Sequence, residues 1–124
     1  MILDSNVIIY SILPKYDSLR KFLKENESIL KVSSITRIET LGFHRLTPDE
    51  KVKFEGFFQI VPDITISEAV IQEAIRLRQQ RKRSTGDAII AATALLHHLP
   101  LLTNNAGDFT DIPGLNVIPL QSVL

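Results

Sequence analysis

Short apolar segments alternate with longer amphipathic segments along the chain. The first short segment is MILD at residues 1–4, and further strands are predicted at 29–34, 59–64, 101–103 and 116–120. Apolar residues recur at helical spacing between them, which predicts helices at about 5–13, 16–25, 36–46, 47–58, 67–82 and 85–98. Strands that are separated by helices and are too short and apolar to stand alone are typical of a parallel sheet covered on both faces. The pattern therefore predicts an α/β fold.

Two of the predicted helices carry informative local signals. Thr47-Pro48-Asp49-Glu50 is a strong helix start, because Thr can cap, Pro suits the first turn and Glu three residues after the cap completes a capping box. The helix DAIIAATALL, from Asp87 to Leu96, has apolar residues all round, which predicts packing on several sides. A carboxylate in the first turn of such a helix is a candidate functional group.

Composition narrows the class of protein. A chain of 124 residues, 44% of them hydrophobic, can bury a sizeable core, and a single domain is expected over 1–124. The chain has no cysteine, which excludes thiolate nucleophiles, disulfides and cysteine-based metal sites. Its start lacks the basic segment of a signal peptide, and two His and a Pro interrupt the apolar stretch 88–102. We expect a cytoplasmic protein with no membrane contact.

Charge is balanced overall but unevenly placed. The chain has 14 basic and 14 acidic residues, and every basic residue lies at or before Arg83. Five of them crowd into RLRQQRKR, from Arg76 to Arg83. Taken alone, this run is best explained as a solvated helix face with a basic C-terminal turn. Because it leads into the turn before Asp87, Arg81 and Arg83 are also candidate contacts to the phosphates of RNA.

Motifs of several enzyme classes are absent. The sequence contains no GxSxG, HExxH, GxxxxGK[ST] or GxGxxG. Its histidines, His44, His97 and His98, lack metal-ligand spacing, and the last two are interpreted as helix-end residues. Triad, zinc-protease and dinucleotide chemistry lose support, and carboxylate chemistry remains.

Four carboxylates map to one edge of the predicted sheet. In an open parallel sheet, the C-terminal ends of the strands and the N-termini of the following helices share an edge, and ligands bind there. Asp4 ends the first strand, and Glu39 lies in the first turns of the helix after the second strand. Asp87 begins the apolar helix, and Asp108 follows the strand 101–103. We expect neutral polar side chains around them, from Ser5, Asn6, Ser33, Thr36, Thr103 and Asn105.

Each of these acids also has a local structural explanation. Asp4 can make a turn or a helix cap, and Asp108 can be a loop turn residue. Glu39 and Asp87 can complete capping boxes with residues three positions before them. These explanations do not account for four acids on one edge with few bases beside them. Clustered carboxylates require protons or a cation, and an all-oxygen set suits Mg²⁺ or Mn²⁺. The cluster predicts metal-dependent phosphodiester hydrolysis.

At these residues the sequence resembles the PIN-domain ribonucleases, and in particular the VapC toxins of toxin–antitoxin pairs. LDSNVII at 3–9 is similar to the opening strand and turn of the family, and SITRIETLG at 34–42 to its weaker second motif. The strongest likeness is STGDAIIAATALLHHLPLLTNNAGDF at 84–109, and DIPGLNVIPL at 111–120 resembles a usual VapC ending. Each motif is weak alone, whereas their order and spacing together are specific.

The resemblance implies a three-layer α/β/α fold with a short central parallel sheet. It also implies Mg²⁺- or Mn²⁺-dependent endoribonuclease activity, a cognate antitoxin protein as inhibitor, and a homodimer. Carried over by position, the metal ligands are Asp4 and Asp87, with Glu39 as a ligand directly or through water. Asn105 or Asp108 is then the fourth polar position, and Asn6 and Thr103 orient this set.

Two departures and two rival functions stay open at this point. Asn105 stands where many PIN domains have the fourth acid, which leaves both its role and the second ion undecided. Asn104 stands where the group is often basic. One rival is a PIN fold kept as a binding or interaction module with weak or no turnover. The other is a DNA nuclease or small-molecule phosphoesterase outside any toxin–antitoxin pair.

Overall fold

The chain alternates short strands and helices from end to end. A computed structural model describes all 124 residues. The strands are β1 (Ile2–Leu3), β2 (Val32–Ser33), β3 (Asp63–Ile64), β4 (Leu101–Thr103) and β5 (Val117–Pro119). The helices are α1 (Ser5–Ser11), α2 (Asp17–Glu25), α3 (Ser34–Leu41), α4 (Pro48–Ile60), α5 (Glu68–Gln80) and α6 (Thr85–Leu96). Short 3₁₀ turns lie between several of these elements. The predicted α/β class is confirmed.

All strand pairs in the sheet are parallel. β1 pairs with β4 and β4 with β5, while β2 pairs with β3. An isolated parallel bridge between Ile2 and Lys31 joins the two parts, with backbone bonds of 2.8 and 3.1 Å on either side. The resulting order is β3-β2-β1-β4-β5. The chain progresses in opposite directions on the two sides of β1, so the edge beyond β1 and β4 is a topological switch point.

Residues of the strands alternate between two hydrophobic clusters. Ile2 and Leu101 belong to one cluster, with the buried faces of α5 and α6. Leu3 and Leu102 belong to the other, with residues of α1, α2 and α4. Because successive strand residues point to opposite faces, the sheet lies between two helical layers. This is the expected three-layer α/β/α arrangement.

The strongest helix signals are confirmed in atomic detail. Thr47 and Glu50 form the reciprocal capping box of α4, and Ser67 caps α5. Six residues of α6 are buried, as its all-round apolar sequence predicts. His97 ends α6, and His98 adopts a left-handed φ of 54°. Both histidines are helix-end residues, as expected.

Several predicted bounds are too generous, and each has a local cause. The strand 59–64 shrinks to Asp63–Ile64, because α4 continues to Ile60 before its C-cap at Val61. The strand 29–34 shrinks to Val32–Ser33, because a 3₁₀ turn takes Ile29 at one end and Ser33 already caps α3 at the other. The helix 36–46 begins at Ser34 and ends at Leu41. None of the six helices is long and apolar enough to cross a membrane.

Candidate active site

Asp4 lies at the end of β1, at the switch point of the sheet. Its Oδ1 accepts from the backbone N of Ser5 at 2.8 Å and so caps α1. Its Oδ2 accepts from Thr103 Oγ1, at the end of β4, at 2.7 Å. The residue is 6% exposed, and burial raises the pKa of its carboxyl against the opposing effect of these hydrogen bonds. Both the cap and the pairing hold the carboxylate in one place.

Thr103 connects the adjacent loop to Asp4. Its hydroxyl is fully buried and, besides donating to Asp4, accepts from the backbone N of Asn105 at 3.0 Å. Thr103 thereby links the position of the Asp4 carboxylate to the backbone of the loop after β4. The side chains of Asn6 and Asn105 make no hydrogen bond to another residue. Asn105 is exposed beside this contact, so its amide is available to other groups.

Glu39 reaches the site from α3. Its Oε1 accepts a hydrogen bond from the Oγ of Ser5 at 2.7 Å, and Ser5 directly follows Asp4 in the chain. Its Oε2 lies against Gly86, where an added Cβ would be only 2.6 Å away. Ser33 caps α3, while the buried hydroxyl of Thr36 has no partner, so the capping box of Glu39 with Thr36 is not formed. Glu39 therefore bridges the N-termini of α1 and α6.

Asp87 lies in the first turn of α6. Its backbone N donates to the side chain of Ser84, the N-cap, at 3.0 Å. Burial raises the pKa of the Asp87 carboxyl, and the charges of Asp4 and Asp108 raise it further. Ser84 thus makes its half of a capping box by accepting from the backbone N of Asp87. This bond leaves the negative charge of the Asp87 carboxylate unpaired.

Asp108 lies in the 3₁₀ turn Ala106–Asp108 after β4 and is exposed. Its charge contributes to the raised pKa of both Asp4 and Asp87, and the charge of Glu39 contributes to that of Asp4. The four acids that the sequence assigned to one edge are therefore near enough to repel one another. No three of them approach closely enough to surround one ion as they stand.

The first comparison with known proteins concerns the family model. The model of the PIN domain matches residues 1–115. This chain belongs to the PIN-domain family. The tRNA(fMet)-specific endonuclease VapC of Salmonella typhimurium is 32% identical in an alignment of length 123 that covers 93% of this chain and 93% of that protein.

Solved structures agree with this assignment to the PIN fold. A toxin–antitoxin complex from Klebsiella pneumoniae contains a chain that is 30% identical, with a TM-score of 0.77 over 94% of both chains. The VapBC2 complex of Rickettsia felis, bound to a DNA fragment from its promoter, contains a chain with a TM-score of 0.82. That chain is 23% identical, covering 95% of this chain and 96% of its own, and its likeness shows the fold alone.

The donor set of this PIN domain fits a hard divalent cation. All candidate ligands are carboxylate or amide oxygens, and Mg²⁺ usually keeps several waters while binding one or two carboxylates directly. Asp4 and Asp87 are the candidates for the direct positions, because both lie at the switch point and burial raises the pKa of both. Glu39 and Asp108 can then act through water. A cation beside Asp4 and Asp87 favours their ionised forms and so opposes the effects of burial and mutual repulsion on their pKa values.

A basic groove runs beside these carboxylates. It has a volume of about 530 Å³ and no hydrophobic lining residue, and it is lined by Arg78, Arg81, Lys82, Arg83, Ser84, Asp87 and Asp108. Arg81 is paired with Asp111 at 2.9 Å and also donates to the backbone O of Asp108. Arg81 thereby fixes the loop that carries Asp108 to the end of α5.

Arg83 is buried, whereas the sequence suggests that it is an exposed contact to RNA phosphates. Its side chain is 3% exposed, because Nε donates to the backbone O of Leu77 at 2.9 Å and Nη2 to Asp111 at 3.4 Å. It satisfies a carbonyl at the end of α5, and so has a structural role in the wall of the groove.

Sequence reasoning missed three contributors to the site. Gly86 provides the space for Glu39, while Arg78 and Lys82 line the groove. A glycine in the first turn of a helix, next to a candidate ligand, was the available signal for the first. The run of basic residues was visible, but the pattern does not reveal which of its members face Asp87.

Proposed function

We propose that this PIN domain is a Mg²⁺- or Mn²⁺-dependent endoribonuclease, the toxin of a type II toxin–antitoxin pair. The observation that carries the proposal is the convergence of Asp4, Glu39, Asp87 and Asp108 at the switch point of the sheet. The similarity to the VapC endonuclease of Salmonella typhimurium supports RNA, rather than DNA or a small ester, as the substrate.

The protein groups have distinct roles in this reaction. When bound, the cation polarises the phosphodiester, lowers the pKa of an attacking water and stabilises the leaving oxygen. Asp4 and Asp87 hold it, and Thr103 with the α1 cap fixes the position of Asp4. Glu39, anchored by Ser5, holds water at the same place. Asp108, or the neighbouring amide of Asn105, completes the polar edge.

Partners follow from the same similarity. The Klebsiella pneumoniae neighbour comes from a toxin–antitoxin complex, so we propose that this chain also binds an antitoxin protein. We further propose a homodimer in the cytoplasm. Exposed apolar residues of α3 and α5, such as Ile38, Ile71 and Ile75, are available for contacts with the antitoxin or with a second copy of this chain.

The decisive experiment is cleavage of a mixed pool of single-stranded and structured RNA with added Mg²⁺ or Mn²⁺. Wild type should cleave with the ion and stop with EDTA, while Asp4→Asn and Asp87→Asn should lose about a hundredfold or more of the rate. Glu55→Gln, on the exposed surface of α4, is the matched control and should keep the rate.

Two results would contradict the proposal. Full metal-dependent cleavage by both Asn variants would remove Asp4 and Asp87 from the site. Ion binding by wild type without cleavage of any RNA would instead identify a PIN fold that serves as a binding module.

A further inference from the structure

The cations of the basic groove, Arg78, Arg81, Lys82 and Arg83, outnumber the carboxylates beside them, Asp87, Asp108 and Asp111. Arg81 and Arg83 share the single carboxylate of Asp111. Arg78 and Lys82 form no ion pair, and both are exposed. Arg78 Nε donates to the backbone O of Arg83 at 3.2 Å, which leaves both of its terminal nitrogens free.

A buried donor in the wall of the groove also lacks a partner. Arg83 Nη1 is buried and makes no hydrogen bond. The atom is closed to solvent, so Arg83 contributes its charge to the groove and makes no direct contact to a ligand. Direct contacts to an anion in the groove therefore fall to the exposed cations.

The walls of the groove are held rigidly. α5 gives way to extended backbone at Arg81, and the turn between α5 and α6 is then fixed by Arg83 on Leu77 and by Arg78 on the Arg83 carbonyl. Arg81 ties the turn to the Asp108 loop. Arg78, Arg81 and Arg83 are therefore positioned before any ligand arrives, which limits the entropy lost on binding.

Asp87 and Asp108 line both the groove and the carboxylate cluster. An anion in the groove therefore lies next to the carboxylate cluster. It must be able to bind together with a cation at Asp87, and it must extend beyond the phosphate that is cleaved. A polynucleotide backbone meets this condition, because phosphates repeat at short intervals along the strand.

We propose, resting on the proposed function, that the basic groove binds an RNA backbone phosphate next to the scissile one, with Arg78 and Lys82 as its contacts. Arg83 and Arg81 are positioning residues that hold this groove in shape. The contact is to the backbone, so it strengthens binding of every RNA sequence alike and carries no base preference.

The test measures binding apart from cleavage. Fluorescence anisotropy of a single-stranded RNA is followed with Asp87→Asn protein over a KCl series, alone and combined with Arg78→Ala and Lys82→Ala. Removing both contacts should weaken binding about tenfold and reduce the slope of log K against log salt by about 1.4 for two lost contacts. Lys82→Glu is a second variant that leaves the Arg78 bond to the turn intact.

The matched control is Lys51→Ala with Lys53→Ala on α4. These exposed residues carry the same charge on the helical layer across the sheet, and they should change neither affinity nor slope by a comparable amount. In cleavage assays with otherwise wild-type protein, Arg78→Ala with Lys82→Ala should raise KM about tenfold, with a smaller change in kcat.

Several outcomes separate this groove from the proposed nuclease function. Binding that depends on Arg78 and Lys82 without any cleavage by wild type would support the groove and contradict the nuclease. An unchanged salt slope, or an equal loss in the α4 control, would overturn the groove whether or not RNA is cut. It would also be overturned if a polyglutamate peptide, but not RNA, required Arg78 and Lys82.

Discussion

At the scale of single residues, the site is defined by how each acid is held. Asp4 is oriented by the α1 cap and by Thr103, which lies 99 positions further along the chain. The sequence predicts that Asp4 follows a strand, because the apolar run ends there. Local pattern does not predict the bond from Thr103, since that contact exists only once β1 and β4 pair, and only the family resemblance indicates an orienting role for Thr103. Local capping signals predict where Asp4 lies in the chain, but they do not predict which distant residues orient its carboxylate.

The raised pKa of Asp87 leads to a prediction for the metal-free protein. A folded-state pKa above the unfolded one means that stability from the bound proton is present at low pH and is lost as pH rises through the folded pKa. At neutral pH the ionised carboxylate therefore destabilises the fold. Asp87→Asn should melt a few degrees higher than wild type in EDTA at neutral pH, measured by circular dichroism.

The pH dependence provides the control for that prediction. Well below the ordinary aspartate pKa of 3.8, Asp87 is protonated in both the folded and the unfolded state, so the two proteins should melt together there. A lower melting temperature for Asp87→Asn at neutral pH would mean that the carboxylate makes a net stabilising contact. That contact would then contribute more to the free energy of unfolding than the burial of the carboxylate and its repulsion by Asp4 and Asp108.

Gly86 allows the position of Glu39 to be tested without removing a carboxylate. In Gly86→Ala the new Cβ would lie 2.6 Å from Glu39 Oε2, so the flexible end of Glu39 must move. Ala suits a helix better than Gly by up to about 1 kcal/mol, so the variant should be at least as stable. We expect RNA cleavage to fall about tenfold or more, because small displacements at a reacting centre are costly.

A second glycine gives the matched control for this experiment. Gly56 lies within α4 and has no atom within 4 Å of an added Cβ. Gly56→Ala should gain stability in urea denaturation and keep full cleavage activity. If Gly86→Ala also kept full activity, the placement of Glu39 against α6 would have no part in the reaction.

At the scale of elements, capping and periodicity predicted helices better than strands. The helix starts at Thr47 and Ser67 are local signals and are found as expected. Four of the five strands are shorter than predicted, because adjacent helical segments take flanking residues, whereas β4 has the predicted bounds 101–103. The predicted strand 59–64 loses Gln59 and Ile60 to α4. Such competition is decided by packing, which a single sequence does not display.

The capping box of α4 makes a prediction at this scale. Thr47→Ala removes the acceptor for the backbone N of Glu50, which lies 3.1 Å from Thr47 Oγ1. We expect a loss of about 1 kcal/mol in the free energy of unfolding, measured by urea denaturation. RNA cleavage should be unaffected at temperatures where the protein stays folded, because α4 lies in the layer away from α6. A cleavage defect in fully folded Thr47→Ala would contradict that separation.

At the scale of the whole molecule, strand order brings the acids together. The order β3-β2-β1-β4-β5 places the ends of β1 and β4 side by side, so Asp4 and the Asp108 loop meet although they are distant in sequence. The sequence predicted the shared edge from the general behaviour of parallel sheets. It placed a basic run leading into the turn before Asp87, but it did not reveal that Arg78 and Lys82 are exposed in the groove while Arg83 is buried in its wall. The electrostatic character of the site is thus a property of the assembled fold.

Cation binding should therefore be visible as stability of the whole domain. A ligand that binds only the folded state stabilises it by about 1.4 kcal/mol at tenfold its dissociation constant, which is roughly 4 °C for a domain of this size. Mg²⁺ or Mn²⁺ should raise the melting temperature of wild type in a saturable way, and NaCl of equal ionic strength should not. Glu55→Gln should respond like wild type.

Asp4→Asn and Asp87→Asn distinguish a specific site from general screening of charge. Each removes a carboxylate from the cluster, so the rise in melting temperature with Mg²⁺ should shrink or vanish although the metal-free variant is folded. An equal rise in both variants would place the ion elsewhere on the molecule. Because burial and, after it, repulsion among the same carboxylates raise the pKa values of Asp4 and Asp87, the variant that melts highest without metal should gain least from added metal. This inverse relation ties the instability of the empty cluster to its affinity for the cation.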